Sequence, residues 1–377
     1  MTDIANIQIP AELLPEDGRF GAGPSKIRPA QVEALHAAGK TLLGTSHRQK
    51  PVKAQVARIK NGLTDLFSLP EGYEVVLGNG GSTAFWDVAA FGLIRDKAQF
   101  LTFGEFGSKF AASAKAAPFL SDPVVIKAEP GDAPVFEATA GIDAYCTPHN
   151  ETSTGVAVRP YRPAGIDNDA LVLIDATSGS GGLDVDLRDV DVYYFSPQKC
   201  FASDGGLFVA IMSPKAIARA EEIKASGRYI PPFLDLMTAI ENSRLDQTNN
   251  TPAVATLLMM AEQIDWFNAN GGLAWTSART AESAGLLYSW AESNPVTTPF
   301  VVDPAKRSNV VVTVNFDDAI DASQISTVLR KHGVVDIEPY RKLGKNQLRV
   351  SVFPAVEPAD VKKLIACIDY VVAELTK

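Results

Sequence analysis

The chain has 377 residues, 46% of them hydrophobic and 21% charged, a composition that excludes intrinsic disorder, a fibrous repeat and a membrane-embedded protein. Its 35 Lys and Arg against 44 Asp and Glu leave a net charge of −9, which argues against nucleic acid as a sequence-independent partner. Any anion must therefore be held by a local cluster.

The start, MTDIANIQIP, carries an acidic residue where a signal peptide carries basic ones. No apolar stretch reaches the ~18 residues of a membrane span, so a cytoplasmic protein with no membrane partner is expected. From about residue 73, short β-rich apolar runs alternate with helical patterns, which predicts an α/β fold with a mostly parallel, doubly covered sheet. The runs are YEVVLG, QFLTFG, PVVIKAE, DAYCTPHN, ALVLIDATSG, VDVYYFSPQK and GLFVAIMS, most closing in Gly, Asp, Asn or Ser. Ligands bind beyond the carboxyl ends of strands in such sheets, so Gly80, Asn150, Asp175 and Lys199 are expected on the functional rim. The polar stretch DQTNNTPAV reads as a loop, followed by a helix from Ala253 through Trp266. Beyond Gly271, NVVVTVNF, a helix through DASQISTVLRKHG, QLRVSVFP and a long helix from Glu357 predict a compact α+β unit. A large domain over 1–270, including the N-terminal segment, and a small one over 271–377 are expected.

Three segments carry chemistry. GNGGSTAFWDVAAFGL follows a strand and opens a helix, so glycine amides can face an anion at the positive helix end. It matches neither a Rossmann fingerprint nor a P-loop, and a ligand-free glycine turn is an equal alternative. Asp175 ends an apolar strand, where a carboxylate must be solvated, cap a turn or pair with a proton donor. Lys199 follows a very apolar strand, where burial lowers an amine's pKa and makes it a nucleophile able to form a Schiff base with an aldehyde. Pyridoxal phosphate enzymes pair such a lysine with an Asp at the pyridine nitrogen. His47 beside Arg48, and Arg341 with Arg349, are candidate anion clamps, although solvated surface arginines are the commoner case. Only four His, with no HExxH, and Cys146, Cys200 and Cys367 without CxxC spacing point away from a metal and towards reduced thiols.

Together GAGPS, TSHR, GNGGSTAFW, NETSTG, IDATSG, SPQK, NTP, YRKLG and LRVSVFP resemble, in order and spacing, the phosphoserine aminotransferase family of class V, fold type I pyridoxal phosphate enzymes. The resemblance spans nearly the whole chain. It implies a seven-stranded, mostly parallel sheet and amino transfer between L-glutamate and 3-phosphohydroxypyruvate, giving O-phospho-L-serine and 2-oxoglutarate in serine biosynthesis. A further role in pyridoxine biosynthesis is compatible with it, and a serine or alanine transaminase using glyoxylate or pyruvate is the alternative. By the resemblance, Lys199 holds pyridoxal 5′-phosphate as a Schiff base and moves the Cα proton, and Asp175 faces the pyridine nitrogen. Gly81, Ser82 and Gln198 bind the cofactor phosphate, Phe106 stacks on the ring and Thr152 bonds the phenolate. Asn250 and Thr251 reach the partner's site, which implies a homodimer. Arg349 takes the substrate α-carboxylate, and His47, Arg48 and Arg341 its phosphate. Ser82 stands where many members carry arginine, and Tyr340 where many carry histidine.

Overall fold

A computed structural model describes residues 4–377; the acidic start of the chain at residues 1–3, which also opens the span assigned to the large domain, lies outside them. The seven apolar runs become β1 (Glu74–Gly80), β2 (Ala98–Thr102), β3 (Val124–Lys127), β4 (Ala144–Pro148), β7 (Leu171–Asp175), β8 (Val192–Phe195) and β9 (Gly206–Met212). A two-residue hairpin, β5 (Asn150–Glu151) and β6 (Val156–Ala157), interrupts them. All seven join one sheet in the order β1-β9-β8-β7-β4-β2-β3. Only β9 runs against its neighbours β1 and β8; the other pairings are parallel.

All but the edge strand β3 are continuous apolar runs because both their faces are covered. Leu171 and Leu173 of β7 pack into one layer, Val172 and Ile174 into the opposite one. The first layer is closed by α3 (Ser82–Gly92), α4 (Glu105–Ala116), α5 (Pro214–Ala225) and α6 (Leu236–Arg244). The second is closed mainly by α2 (Lys50–Phe67) and α7 (Val254–Ala269), with α1 (Pro29–Ala38) beside α7. Each helix buries one stripe on the sheet, which is where most of its stability arises.

A second core lies beyond α7. Gly271, at φ 115, turns the chain into α8 (Gly272–Ser293), and the three-stranded antiparallel sheet of β10 (Thr297–Pro299), β11 (Val311–Phe316) and β12 (Gln347–Ser351) packs with α9 (Ala322–Lys331) and α10 (Pro358–Leu375). Ile7, Ile9 and Phe20 are buried in this same core, so the N-terminal segment packs with the small unit although its position in sequence assigns it to the large one. The amide of Phe20 donates to the Val335 carbonyl, and that of Ser351 to the Phe20 carbonyl, at 3.3 and 3.0 Å. Hydrophobic periodicity marks Ile7 and Ile9 as buried positions but carries no information about which core receives them.

Candidate active site

The carboxyl ends of β1, β4, β7 and β8 open into one cleft of about 250 Å³, lined among others by Gly81, Ser82, Phe106, Thr152, Asp175, Gln198 and Lys199. All seven are among the residues that the sequence and its family resemblance single out, and Asp175 and Lys199 stand where the rule for parallel strands places them.

Lys199 lies in the turn after β8, with its Nζ bonded to the Ala22 carbonyl. The segment around Ala22 is fastened there by two bonds: the Ser25 amide to the Gln198 carbonyl at 2.9 Å and the Ser25 hydroxyl to the Lys199 carbonyl at 2.5 Å. A side chain at Gly23 would collide with Nζ, since its Cβ would stand 2.1 Å away. Burial pushes the amine's pKa from 10.5 down to about 8, and the Arg349 guanidinium adds to the effect against the opposing fields of Cys200 and Asp175. Near neutral pH such an amine has an appreciable unprotonated fraction, unlike a surface lysine.

Asp175 is buried at the end of β7. Its Oδ1 accepts from the Thr177 amide at 3.0 Å and the Thr177 hydroxyl at 2.5 Å, and its Oδ2 accepts from the Trp86 indole at 3.0 Å. The turn-capping reading of this aspartate is met, and the same carboxylate lines the cleft. Three donors fix the orientation of this carboxylate at the floor of the cleft.

At the end of β1, Gly80 and Gly81 both adopt φ 121, and α3 begins at Ser82 without a side-chain cap from Gly81. The Ser82 amide, assigned from the sequence to a phosphate, here donates to the Ser196 hydroxyl at 2.6 Å, and Thr177, Ser82 and Ser196 form a chain of hydroxyls at 2.6 and 2.8 Å. The other amides of the first helical turn have no partner inside the helix. Gln198 Oε1 and Asn150 Oδ1 are buried without a hydrogen-bond partner on the same cleft. An amine, a carboxylate, an open helix end, an aromatic wall and two unpartnered polar oxygens together fit a flat aromatic aldehyde that carries a phosphate.

Arg349, on β12, reaches the site from the small unit: Nη1 donates to the Thr152 carbonyl at 3.0 Å, and Nε is buried without a partner. The remaining assigned residues do not line the cleft of their own chain. Arg341 is exposed on a short turn after Tyr340. His47, Arg48, Asn250 and Thr251 gather in a separate surface group. There His47 Nδ1 meets the Thr251 hydroxyl at 3.3 Å, and Arg48 bonds the Gln247 side chain and the Asn249 carbonyl. Burial and the Arg48 charge keep the His47 pKa below its usual value. Sequence reasoning missed the roles of Trp86, Thr177 and Ser196; the first stands four residues into α3, on the face of Ser82, a spacing that does place it at the helix end.

The family model described as aminotransferase class-V matches residues 132–338. The chain is 62% identical over its full length to a phosphoserine aminotransferase of a Nocardioides species, with all of that protein covered, and 62% identical to one of Rhodococcus opacus over 97% of this chain and 98% of that one. Among solved structures, a phosphoserine aminotransferase from Cytophaga hutchinsonii superposes with a TM-score of 0.86 at 23% identity, covering 94% of this chain and 99% of that one. A PLP-bound phosphoserine aminotransferase from Trichomonas vaginalis gives 0.80 at 19%, covering 94% and 100%. These two share the fold of the central sheet and its smaller companion. The chain belongs to the phosphoserine aminotransferase family, within the class-V aminotransferases.

Proposed function

We propose that the protein is a phosphoserine transaminase that moves an amino group between L-glutamate and 3-phosphohydroxypyruvate, giving O-phospho-L-serine and 2-oxoglutarate, with pyridoxal 5′-phosphate as cofactor. The observation that carries the reading is the convergence of the Lys199 amine and the Asp175 carboxylate on one cleft, in a chain 62% identical to phosphoserine aminotransferases. When bound, the cofactor supplies an aldehyde that accepts the amino group and a ring that delocalises the electron pair left at Cα. Lys199 would hold the cofactor at its aldehyde carbon, and its Nζ would take and return the substrate Cα proton. Asp175, held by Trp86 and Thr177, keeps the ring nitrogen protonated. Gly81, Ser82 and Gln198 hold the cofactor phosphate, Phe106 covers one ring face and Thr152 bonds the ring oxygen. Ser196 must then surrender the Ser82 amide.

Arg349 binds the α-carboxylate common to all amino donors. Arg341, with His47 and Arg48, compensates the phosphate that distinguishes phosphoserine from serine. Because His47, Arg48, Asn250 and Thr251 stand together and outside the cleft of their own chain, they serve the site of a second copy, and the active form is a homodimer with two composite sites. The enzyme works in the cytoplasm, in serine biosynthesis, with pyridoxine biosynthesis as a second destination. Incubating the holoenzyme with phosphoserine and 2-oxoglutarate, and separately with alanine or serine and the same acceptor, tests the reading. Glutamate forms with phosphoserine; equal or faster turnover of alanine or serine overturns it.

A further inference from the structure

Glu151 is fully buried on β5 and has no place in the chemistry above. Its carboxylate meets the start of α4, a helix more than 40 residues away in sequence. Oε2 accepts from the Phe106 amide at 3.1 Å and from the Gly107 amide at 3.0 Å, while Oε1 accepts from the Ser153 hydroxyl at 2.7 Å. Ser153 in turn accepts from the Glu105 amide at 3.0 Å. The first amides of α4, which have no partner within the helix, are thereby satisfied from outside it. Gly104, the residue before the helix, offers no side chain of its own, and a Cβ there would stand 2.3 Å from Glu151 Cγ and 2.5 Å from the Ser153 hydroxyl. The acid occupies the space of a local cap.

What this cap fixes is the residue that walls the cleft. Phe106 is the second residue of α4, and its ring lines the cavity, with the Tyr340 ring behind it at 6.2 Å. The residue after Glu151, Thr152, also lines the cavity and gives its carbonyl to Arg349. Glu151 is moreover among the anionic groups that offset the burial penalty on the Arg349 guanidinium. Burial raises the pKa of Glu151 itself, and the donors from Ser153, Gly107 and Phe106 draw it back.

We propose that Glu151 is a positioning residue for transamination: it caps α4 from a distant strand, fixes the Phe106 ring as the wall against the cofactor, and registers that wall with Thr152 and Arg349. The inference rests on the reading of the cleft as a pyridoxal phosphate site. In Glu151→Gln one acceptor oxygen becomes an NH2 donor, so the bonds from Phe106 and Gly107 and the bond from Ser153 cannot all survive.

The test compares full-length wild type, Glu151→Gln, Glu151→Asp and Ser153→Ala. In the cofactor-free chains, amide hydrogen exchange over residues 105–107 accelerates about 10- to 100-fold in Glu151→Gln, the scale of lost bonds to a buried charged group. The dissociation constant for pyridoxal phosphate, read from visible absorption, rises roughly tenfold, in keeping with the loss of one stacked aromatic wall, and the absorption band of the bound cofactor shifts. Glu151→Asp, which keeps the charge, recovers part of both effects, and Ser153→Ala reproduces the exchange effect in weaker form. Should Glu151→Gln not fold, Ser153→Ala and Glu151→Asp decide by the same readouts. Unchanged exchange overturns the cap, and faster exchange with unchanged cofactor affinity and absorption overturns the positioning role. A wild-type chain that binds the cofactor but spares phosphoserine refutes the substrate assignment instead and leaves the Glu151 comparison intact.

Discussion

The indole nitrogen of Trp86 donates to Oδ2 of Asp175 at 3.0 Å, joining the first turns of α3 to the end of β7. On the proposed reading, the helix whose open end would take the cofactor phosphate also holds the carboxylate that would face the ring nitrogen. Bonds to charged groups are worth about 1.5–3 kcal/mol, so Trp86→Phe is expected to weaken cofactor binding and kcat/KM about 10- to 150-fold. An absorbance titration with the cofactor measures it; unaltered affinity means that Thr177 alone holds Asp175.

Asp175→Asn removes the charge and keeps the shape. Circular dichroism should match wild type, while turnover falls by orders of magnitude even at saturating cofactor. Near-normal turnover would reduce Asp175 to a turn cap.

Lys199 sets a pH dependence whose sign follows from its lowered pKa. Below about pH 8 the amine is protonated and cannot attack an aldehyde; above it the neutral form prevails. The rate at which cofactor-free enzyme captures pyridoxal phosphate should therefore rise with pH through a midpoint near 8, where an ordinary lysine would give a midpoint above 10. In Arg349→Ala the midpoint moves upward, because a positive neighbour that disfavours the protonated amine is gone. A downward move contradicts the electrostatics. In Lys199→Ala capture and turnover vanish, and borohydride no longer fixes the cofactor to the chain.

Selectivity separates the two arginines. Losing a charge-assisted pair is worth about 2–3 kcal/mol, so Arg341→Ala should cut kcat/KM for phosphoserine about 30- to 150-fold with little effect on alanine. Arg349→Ala should damage both, since each presents an α-carboxylate. Equal losses from Arg341→Ala on both donors would remove it from the phosphate site.

Composite sites predict complementation. Lys199→Ala and Arg48→Ala subunits, each weak or inactive alone, should regain phosphoserine turnover when unfolded together and refolded, because a mixed dimer restores one complete site. No recovery, with mixed dimers confirmed by mass spectrometry, places Arg48 and Lys199 in the same chain's site.

The strands are legible in sequence because all but the edge strand β3 are apolar runs covered on both faces, closing in residues that leave the sheet. Lys199 and Asp175 are legible for the same reason, as charged groups at the ends of such runs. Trp86 is not, since an indole in an apolar helix reads as core, and its bond to Asp175 spans 89 residues. Glu151 inside NETST reads as a polar strand end, although it is wholly buried. The partners that justify its burial come from α4, and no spacing rule announces them.

The union of Ile7, Ile9 and Phe20 with β12 and α10 bears on how the molecule is made. All seven strands of the central sheet exist once the ribosome has passed Met212, so that sheet can assemble on the nascent chain. The partner of Phe20 at Ser351 arrives 331 residues later. Until β12 and α10 have been made, Ile7, Ile9 and Phe20 lack the complete core that covers them, and this apolar stretch is open to a chaperone.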